Sequence, residues 1–213
     1  MDQNVKINYG AMLEKEIEKI KSLERRPTLL LHACCAPCSS YVLQYLSSFF
    51  DITLFFYNPN ISPVEENEFR ARELERLCKE MPLENIPRVI VADYEPDKFY
   101  DAVKGMEEFP EGSSRCATCY RLRLEKTAQA AHDEGYDYFT TTLSISPYKR
   151  ADWLNKIGAE LSDIYGTAYL FSDFKKKNGY KISCELSKQY NLYRQDYCGC
   201  EFSRRAAENA KKV

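Results

Sequence analysis

The sequence is poor in histidine and has no long apolar run. Its 213 residues include only two histidines, which argues against a histidine-rich metal site. No segment approaches the roughly 18 consecutive apolar residues that a membrane-spanning helix requires. The first ten residues, MDQNVKINYG, lack the hydrophobic region of a signal peptide. We therefore expect a cytoplasmic protein with no membrane association, in a compartment where disulfides are uncommon.

Nucleotide-binding motifs are also absent. The chain contains neither the G-x-x-x-x-G-K-S/T pattern of a phosphate-binding loop nor the G-x-G-x-x-G pattern of a dinucleotide-binding fold. Cysteines occupy the first predicted strand-to-helix turn, where such folds usually bind phosphate. Binding of NAD, flavin or ATP through this turn is therefore disfavoured, and a redox reaction would need electrons from a separate protein.

Strand and helix patterns alternate along the chain. This alternation predicts an α/β fold with a parallel sheet of about five strands, right-handed crossovers and helices on both faces. No internal repeat or low-complexity segment interrupts the pattern, so residues 1–213 are predicted to form a single α/β domain. The strands are predicted at 28–31, 52–57, 88–92, 138–143 and 168–171. The helices are predicted at 12–23, 37–50, 63–80, 96–106, 116–134, 152–165, 184–193 and 202–212.

Nine cysteines are the most unusual feature of the composition. Seven of them fall into three tight groups, and such grouping in a reducing compartment indicates metal or redox chemistry. A CxxC pattern at a helix N-terminus presents two sulfurs on one turn and favours the thiolate form that binds metal. Gly199 allows the third group, a CxC pattern, to turn both sulfurs toward one centre. The grouped residues are Cys34, Cys35, Cys38, Cys116, Cys119, Cys198 and Cys200.

The last two of these cysteines belong to a predicted C-terminal helical segment of about residues 174–213, which therefore contributes to the site. Two further cysteines, Cys78 and Cys184, stand alone in predicted helices. We expect both to be packed apolar thiols.

The residue types leave the identity of the metal open. All-thiolate sites suit zinc or iron–sulfur clusters, and seven cysteines exceed the four that one structural zinc uses. One cluster with a second metal, or one cluster with a redox-active pair, would use them all. A strand followed by Cys35-Ala-Pro-Cys38 and a helix is also how a thioredoxin-like site begins. That alternative leaves Cys34 and the two later groups without a role.

Four segments resemble the epoxyqueuosine reductase family QueH, in the expected order. They are HACCAPC at 32–38, RCATCYR at 115–121, TTLSISPYK at 141–149 and RQDYCGC at 194–200. The resemblance covers about residues 27–205 and implies a Rossmann-like sheet of the adenine nucleotide alpha hydrolase type. It also implies a [4Fe-4S] cluster and an additional mononuclear metal, iron or zinc. The implied reaction converts the epoxide of epoxyqueuosine, at the wobble position in the anticodon stem-loop of tRNA, into the alkene of queuosine without cobalamin.

On this resemblance we expect the seven grouped cysteines to hold the cluster and the second metal. The predicted partition gives the cluster Cys116 and Cys119 together with one or two cysteines of the first group. The second metal then takes a remaining cysteine of the first group with Cys198 or Cys200, with or without a carboxylate. An external electron donor protein supplies the electrons.

Three other side chains are candidates for catalysis because they follow predicted strands. Asp93 follows the third strand and is a candidate metal ligand or proton donor, although a capping or turn aspartate is the simpler explanation. Tyr148 and Lys149 follow the fourth strand and are candidates to bind substrate or donate a proton, against the alternative of a surface loop. His32 is expected to orient the cysteine loop rather than to bind metal.

Basic residues near the C-terminus indicate an anionic partner. Residues 174–213 carry a net charge of +6, whereas the whole chain carries −2, although a solvated helical surface is the simpler explanation. Phosphate contacts require only positive charge, and an unpaired base stacks on an aromatic ring such as Tyr120, Tyr148 or Tyr197. The candidate tRNA-binding residues are Arg121, Arg123, Lys149, Arg150, Lys175, Lys176, Lys177, Arg194, Arg204 and Arg205.

Three other functions compete with the reductase. A zinc-stabilised RNA-interaction module would contain zinc and would not change on reduction. A thiol–disulfide oxidoreductase using Cys35 and Cys38 would turn over disulfides without any metal. An ATP-dependent tRNA-thiolating enzyme is disfavoured by the missing phosphate-binding loop.

Overall fold

Five parallel strands form the central sheet of the computed structural model, which describes residues 7–211. The strand order is β3-β2-β1-β4-β5, which matches the first five strands of the Rossmann order 3-2-1-4-5-6. The predicted Rossmann-like parallel sheet is therefore confirmed. The strands are β1 (Thr28–His32), β2 (Asp51–Phe56), β3 (Arg88–Val91), β4 (Tyr138–Thr141) and β5 (Ala168–Tyr169).

Helices connect the strands and continue beyond the last one. Among the described residues, no helix is long and apolar enough to cross a membrane. The ends of the domain predicted over 1–213, and the end of the last helix predicted at Lys212, lie outside the described residues. The helices are α1 (Tyr9–Lys21), α2 (Ala36–Leu46), α3 (Val64–Glu80), α4 (Pro96–Ala102), α5 (Ser114–Asp133), α6 (Ala151–Tyr165), α7 (Gly179–Gln189) and α8 (Glu201–Ala210).

Alternate side chains of β1 pack into two different cores. Leu29 and Leu31 pack with α2 residues such as Val42, whereas Leu30 packs with α5 residues such as Leu124. Successive residues of a strand point to opposite faces, so an almost wholly apolar strand is expected in a sheet that is covered on both sides. The helices therefore cover both faces, as predicted.

Two element boundaries near the pocket differ from the prediction. The fourth strand was expected to reach Leu143, but it ends at Thr141, and Thr142–Ile145 form a 3₁₀ turn. The hydroxyl oxygen of Thr141 accepts a hydrogen bond from the Leu143 amide at 3.1 Å, which stabilises this turn. The third helix was expected to begin at Pro63, but it begins at Val64, and Pro63 before it provides no side-chain cap.

The strand order creates a crevice at the carboxyl ends of β1 and β4. These strands are neighbours, and His32 pairs with Thr141 in their register. The chain continues from β1 to β2 and β3 on one side, whereas β4 and β5 lie on the other side. Ligands of open α/β sheets bind at such a switch point. The cysteine loop after β1 and the turn after β4 therefore meet where a ligand site is expected.

Candidate metal centre and substrate pocket

A pocket of about 580 Å³ lies at this crevice. Its wall is formed by the loop after β1, the turn after β4, the start of α7 and the segment 194–198 before α8. The fold therefore brings together distant segments that the sequence analysis had singled out. The predicted site residues that line the pocket are Cys34, Cys35, Cys38, Arg123, Tyr148, Lys149, Arg194, Tyr197 and Cys198.

The three cysteines of the first group form a compact triplet at the start of α2. Cys35 occupies the N-cap position with an extended backbone, and a proline lies in the first turn. The Sγ atoms of Cys34, Cys35 and Cys38 lie within 4.8 Å of one another, and those of Cys34 and Cys35 are 3.7 Å apart. Thiolates bound tetrahedrally at about 2.3 Å from one metal ion lie roughly 3.8 Å apart. The triplet therefore suits a single metal ion with one coordination position left open.

Interactions between the three sulfurs favour a negative charge on Cys35 rather than on Cys34 or Cys38. The hydrogen bond with Cys34 and the nearby thiol of Cys38 lower the pKa of Cys35. The same hydrogen bonding raises the pKa of Cys34 to about 12 and raises that of Cys38. The positive end of α2 also favours a thiolate here. One sulfur is thus prepared to bind a metal ion, and binding displaces the protons of the other two.

His32 supports the cysteine loop from inside the sheet. Its ring is fully buried, and burial lowers its pKa to about 3, so the ring is neutral. The Nε2 atom lies 3.1 Å from the carbonyl oxygen of Tyr57 and donates to it, because a carbonyl only accepts. The Nδ1 atom then accepts from the Thr141 hydroxyl at 2.9 Å. Both ring nitrogens are used, which leaves no nitrogen for a metal.

The four later cysteines form a second group between α5 and the segment before α8. Cys119 and Cys200 share a small buried cluster, and burial raises the pKa of Cys119 to about 11 and that of Cys200 to about 12. Negative charge on Cys198 contributes to both shifts, and Cys116 contributes to that of Cys119. The predicted partition, which combined Cys116 and Cys119 with one or two cysteines of the first group, stays a prediction.

Backbone amides point at two sulfurs of the second group. The Gly112 amide donates to Cys116 Sγ at 3.3 Å, and the Ser203 amide at the start of α8 donates to Cys200 Sγ at 3.4 Å. Hydrogen bonds of this kind stabilise thiolates and orient metal-bound sulfurs.

Lys149 links the second group of cysteines to a carboxylate. Its side chain is 7% exposed, and its Nζ atom donates to Cys198 Sγ at 3.0 Å and to Glu111 Oε1 at 2.9 Å. Glu111 also accepts from the Ser203 hydroxyl at 3.0 Å, which in turn accepts from the Cys198 amide at 2.9 Å. Burial would lower the pKa of Lys149, but the charges on Cys198 and Glu111 raise it well above its usual value. Lys149 is therefore a permanent cation in the pocket wall.

Two buried arginines border the cysteines. Arg70 is 1% exposed, pairs with Glu66 at 2.7 Å and donates to the Cys198 carbonyl at 3.2 Å. Arg123 is also 1% exposed, and the Nη2 atom of each guanidinium has no hydrogen-bond partner among the described residues. Buried cations of this kind require nearby anions. Thiolates that hold an anionic metal centre meet that requirement, so these residues fit the iron–sulfur chemistry that the family resemblance implies.

Aromatic and basic side chains surround the pocket opening. Tyr148 is 75% exposed, and the Arg194 guanidinium lies 5.8 Å from the Tyr180 ring centre. Arg194 also donates to the Ser187 hydroxyl at 3.0 Å. Tyr197 lines the pocket, but its ring packs 5.4 Å from the Arg70 guanidinium and forms part of the wall. Tyr148 and Tyr180 are therefore the rings placed to contact an incoming base.

Three of the predicted contact residues lie elsewhere or face inward. Asp93 is exposed and does not line the pocket. Tyr120 is 2% exposed within the core beneath the sheet, so it has no free face for a base. Arg123 lines the pocket from inside and has no surface on which to meet a phosphate.

Most of the predicted tRNA-binding residues lie outside the pocket, and several are paired with carboxylates. Lys176 is exposed and Arg204 is half-buried. The paired residues are Arg121 with Glu160, Arg150 with Asp152, Lys175 with Asp173, Lys177 with Glu14 and Arg205 with Glu201.

Four residues at the site were not singled out from the sequence. Glu111 lies in a loop of small and turn-forming residues that carries no local signal for a site. Arg70, Tyr180 and Gln195 are polar or aromatic residues of ordinary helices and loops, and Gln195 lines the pocket and helps to lower the pKa of Cys35. Only the tertiary structure distinguishes them from similar side chains elsewhere.

Comparisons with known proteins identify one family. A family model described as "Epoxyqueuosine reductase QueH" matches residues 29–206. The QueH of Streptococcus pyogenes serotype M1 is 43% identical over 95% of this chain and 80% of that protein. The QueH of Staphylococcus epidermidis is 44% identical over 94% of this chain and 86% of that protein. The QueH of Thermotoga maritima is 38% identical over 83% of this chain and 90% of that protein.

One solved structure is also similar in outline. It is described as a predicted subunit of tRNA methyltransferase from Methanocaldococcus jannaschii, with a TM-score of 0.44 and 14% identity, over 74% of this chain and 76% of that chain. At this TM-score the likeness supports no argument. The family match and the relatives, by contrast, span most of the sequence that builds the sheet and both cysteine groups. The chain belongs to the epoxyqueuosine reductase QueH family.

Proposed function

We propose that this pocket reduces the epoxide of epoxyqueuosine in tRNA to the alkene of queuosine, with iron–sulfur chemistry and without cobalamin. The observation that carries the proposal is that the three cysteines of the first group and Cys198 of the second line one pocket, with the buried cations Arg123 and Lys149 in the same wall. Conversion of the epoxide to the alkene consumes two electrons and two protons and releases the oxygen as water. An external electron donor protein supplies the electrons, and solvent supplies the protons.

The cysteine geometry supports a partition between two metal sites. Three thiolates with an open fourth position are typical of a catalytic metal ion, which suits Cys34, Cys35 and Cys38. Four cysteines are the usual ligand set of a [4Fe-4S] cluster, which suits Cys116, Cys119, Cys198 and Cys200. When bound, the cluster supplies single electrons, and the second metal, iron or zinc, acts as a Lewis acid toward the epoxide oxygen.

Lys149 is the residue best placed to assist departure of the oxygen. It lines the pocket, is paired with Glu111 and stays charged. A fixed ammonium group in a low-dielectric pocket stabilises negative charge that develops on the epoxide oxygen. Asp93 is exposed and does not line the pocket. Its position therefore gives no comparable argument for a catalytic role.

The pocket opening suits a base on a single-stranded loop. Unpaired RNA bases stack on aromatic side chains, and Tyr148 offers the most exposed ring at the opening. Arg194, next to Tyr180, offers positive charge for a phosphate. We therefore assign anticodon-loop binding to Tyr148, Tyr180 and Arg194, with the outer basic residues contributing to binding only through weak, screened charge.

The decisive experiment is anaerobic purification followed by metal analysis and an assay. The purified protein is expected to contain iron and acid-labile sulfide. With a chemical reductant, it is expected to convert epoxyqueuosine in purified tRNA to queuosine, seen by mass spectrometry as the loss of one oxygen atom. A protein with zinc and no iron that bound tRNA without converting it would contradict the reductase and support an RNA-interaction module. Disulfide turnover by metal-free protein would support the oxidoreductase that uses Cys35 and Cys38.

A further inference from the structure

Arg123 is a fully buried cation in the pocket wall. It extends from the middle of α5, its side chain is 1% exposed, and it lines the pocket. Its Nε atom donates to the Cys119 carbonyl and its Nη1 atom to the Asn58 side-chain oxygen, both at 3.3 Å. Both acceptors are neutral. The Nη2 atom has no partner among the described residues.

Arg123 differs from the neighbouring buried cations because no carboxylate among the described residues pairs with it. The two other buried cations of the site each have a carboxylate, since Arg70 pairs with Glu66 and Lys149 with Glu111. Within residues 7–211, no carboxylate forms an ion pair with Arg123. An isolated buried charge is strongly unfavourable unless an anion lies nearby.

Among the described residues, the groups that can supply negative charge near Arg123 are cysteines of both groups, which become thiolates when they bind metal. Burial would lower the pKa of the guanidinium, but negative charge on Cys119, Cys198 and Cys34 raises it. The other titratable neighbours offer no anion, because His32 is neutral and burial raises the pKa of Tyr120 above its usual value. Arg123 lines the same pocket as Cys34 and Cys198 and donates to the Cys119 carbonyl, so it is a neighbour of both sets of proposed metal ligands.

We propose that Arg123 is the internal counter-cation of the metal centre, which balances the charge of both cysteine groups and raises the reduction potential of the cluster. The inference rests on the proposed iron–sulfur function and assigns a positioning and electrostatic role to a residue outside the ligand set. Each electron that the cluster accepts from a one-electron donor adds one negative charge. A fixed cation nearby in a medium of low dielectric constant stabilises the reduced form more than the oxidised form.

The test measures the midpoint potential of the cluster by anaerobic titration with titanium(III) citrate, followed by absorption and electron paramagnetic resonance. The variants are Arg123→Gln, which removes the charge, and Arg123→Lys, which keeps it. Lys126→Gln is the matched control, because it removes a cation one helical turn along α5 from a partly exposed position. Iron and acid-labile sulfide are counted in every sample.

We expect Arg123→Gln to have a more negative midpoint potential than the wild-type protein, with Arg123→Lys and Lys126→Gln close to wild type. If Arg123→Gln fails to retain a cluster, retention by Arg123→Lys at a near wild-type potential supports the same role for the charge. An unchanged potential in Arg123→Gln, an equal shift in Lys126→Gln, or loss of the cluster from Arg123→Lys would each overturn the inference. A wild-type protein without any cluster would instead overturn the proposed function itself.

Discussion

The Nζ atom of Lys149 lies 3.0 Å from the Sγ atom of Cys198, although the two residues are 49 positions apart. This contact joins the turn after β4 to the segment before α8. It places a buried cation, already paired with a carboxylate, against a proposed cluster ligand. The resemblance had suggested both residues as parts of the site, but the contact between them comes from the fold.

Replacement of this cation should slow catalysis. We expect Lys149→Met to lower the single-turnover rate of epoxide reduction by about 10²-fold, because it removes a positive group from beside the leaving oxygen. It also leaves Glu111 without its partner. The rate is measured by mass spectrometry of anaerobically quenched tRNA. Lys156→Met, which removes an exposed lysine of α6, should retain the wild-type rate; equal rates in the two variants would contradict the assignment.

Serine variants should separate the two metal sites. Cys35→Ser should lose iron while it retains acid-labile sulfide, whereas Cys119→Ser should lose both, because only the cluster contains sulfide. Colorimetric iron and sulfide counts after anaerobic purification distinguish the outcomes. Cys184→Ala serves as the control, since this lone thiol of α7 lies outside both groups. Loss of sulfide from Cys35→Ser would favour the partition predicted from the sequence.

Gly199 should be required for the site rather than only for the fold. It has a φ of +121°, and a Cβ atom added there would lie 2.9 Å from Arg70 Nη1. Gly199→Ala is expected to cost roughly 1–3 kcal/mol in unfolding free energy and to lower the iron content, because both flanking residues are proposed ligands. Gly135→Ala introduces a side chain at positive φ in open space. That control should lower stability in chemical denaturation while its iron content remains that of wild type.

Variants at the pocket opening should separate the contribution of base stacking from that of phosphate contacts. Tyr148→Ala is expected to weaken binding of an anticodon stem-loop by about 1–3 kcal/mol with no change in salt dependence, as for loss of one stacked base. Arg194→Gln should reduce the slope of log affinity against log salt by about 1, as for loss of one phosphate contact. Fluorescence anisotropy at several salt concentrations measures both. The exposed α3 variant Lys79→Gln should match wild type, and a salt slope unchanged in Arg194→Gln would exclude that contact.

Asp137 should make the free energy of unfolding depend on pH in the acid range. Hydrogen bonds from Arg25 and from the Thr28 amide and hydroxyl hold the pKa of Asp137 well below its usual range. Its contribution is therefore complete above the unfolded-state pKa of about 3.9 and is lost as pH falls through the lower folded-state pKa. Asp137→Asn should lose about 1–2 kcal/mol at neutral pH and less at pH values below about 3.9.

Urea unfolding at neutral and acid pH measures that difference. Asp163→Asn, at an exposed position of α6, should show no comparable loss at neutral pH. A deficit of the same size in Asp137→Asn at both pH values would show that the carboxylate charge is not responsible.

Local sequence patterns predicted the strands of the sheet, but they did not predict where every helix begins and ends. The apolar run at 28–31 predicted β1, which extends one residue further to His32 and is buried on both faces from Leu29 onward. The seventh helix was expected to begin at Cys184, yet it begins at Gly179. An added Cβ at Gly179 would lie 1.9 Å from the Phe174 carbonyl oxygen, so glycine is needed there for close packing. A contact of that kind leaves no trace in local periodicity.

The sequence by itself determined the alternation of strands and helices, the three cysteine groups and the family to which the chain belongs. These features depend on residue type and short spacing, which can be read along a single chain. Only the tertiary structure decided which cysteines lie together, that Glu111 pairs with Lys149, and that Arg123 is a buried cation rather than a surface contact for phosphate. Those relationships depend on burial and on distances between segments remote in sequence, because the fold alone determines how far a charge lies from water and from its neighbours.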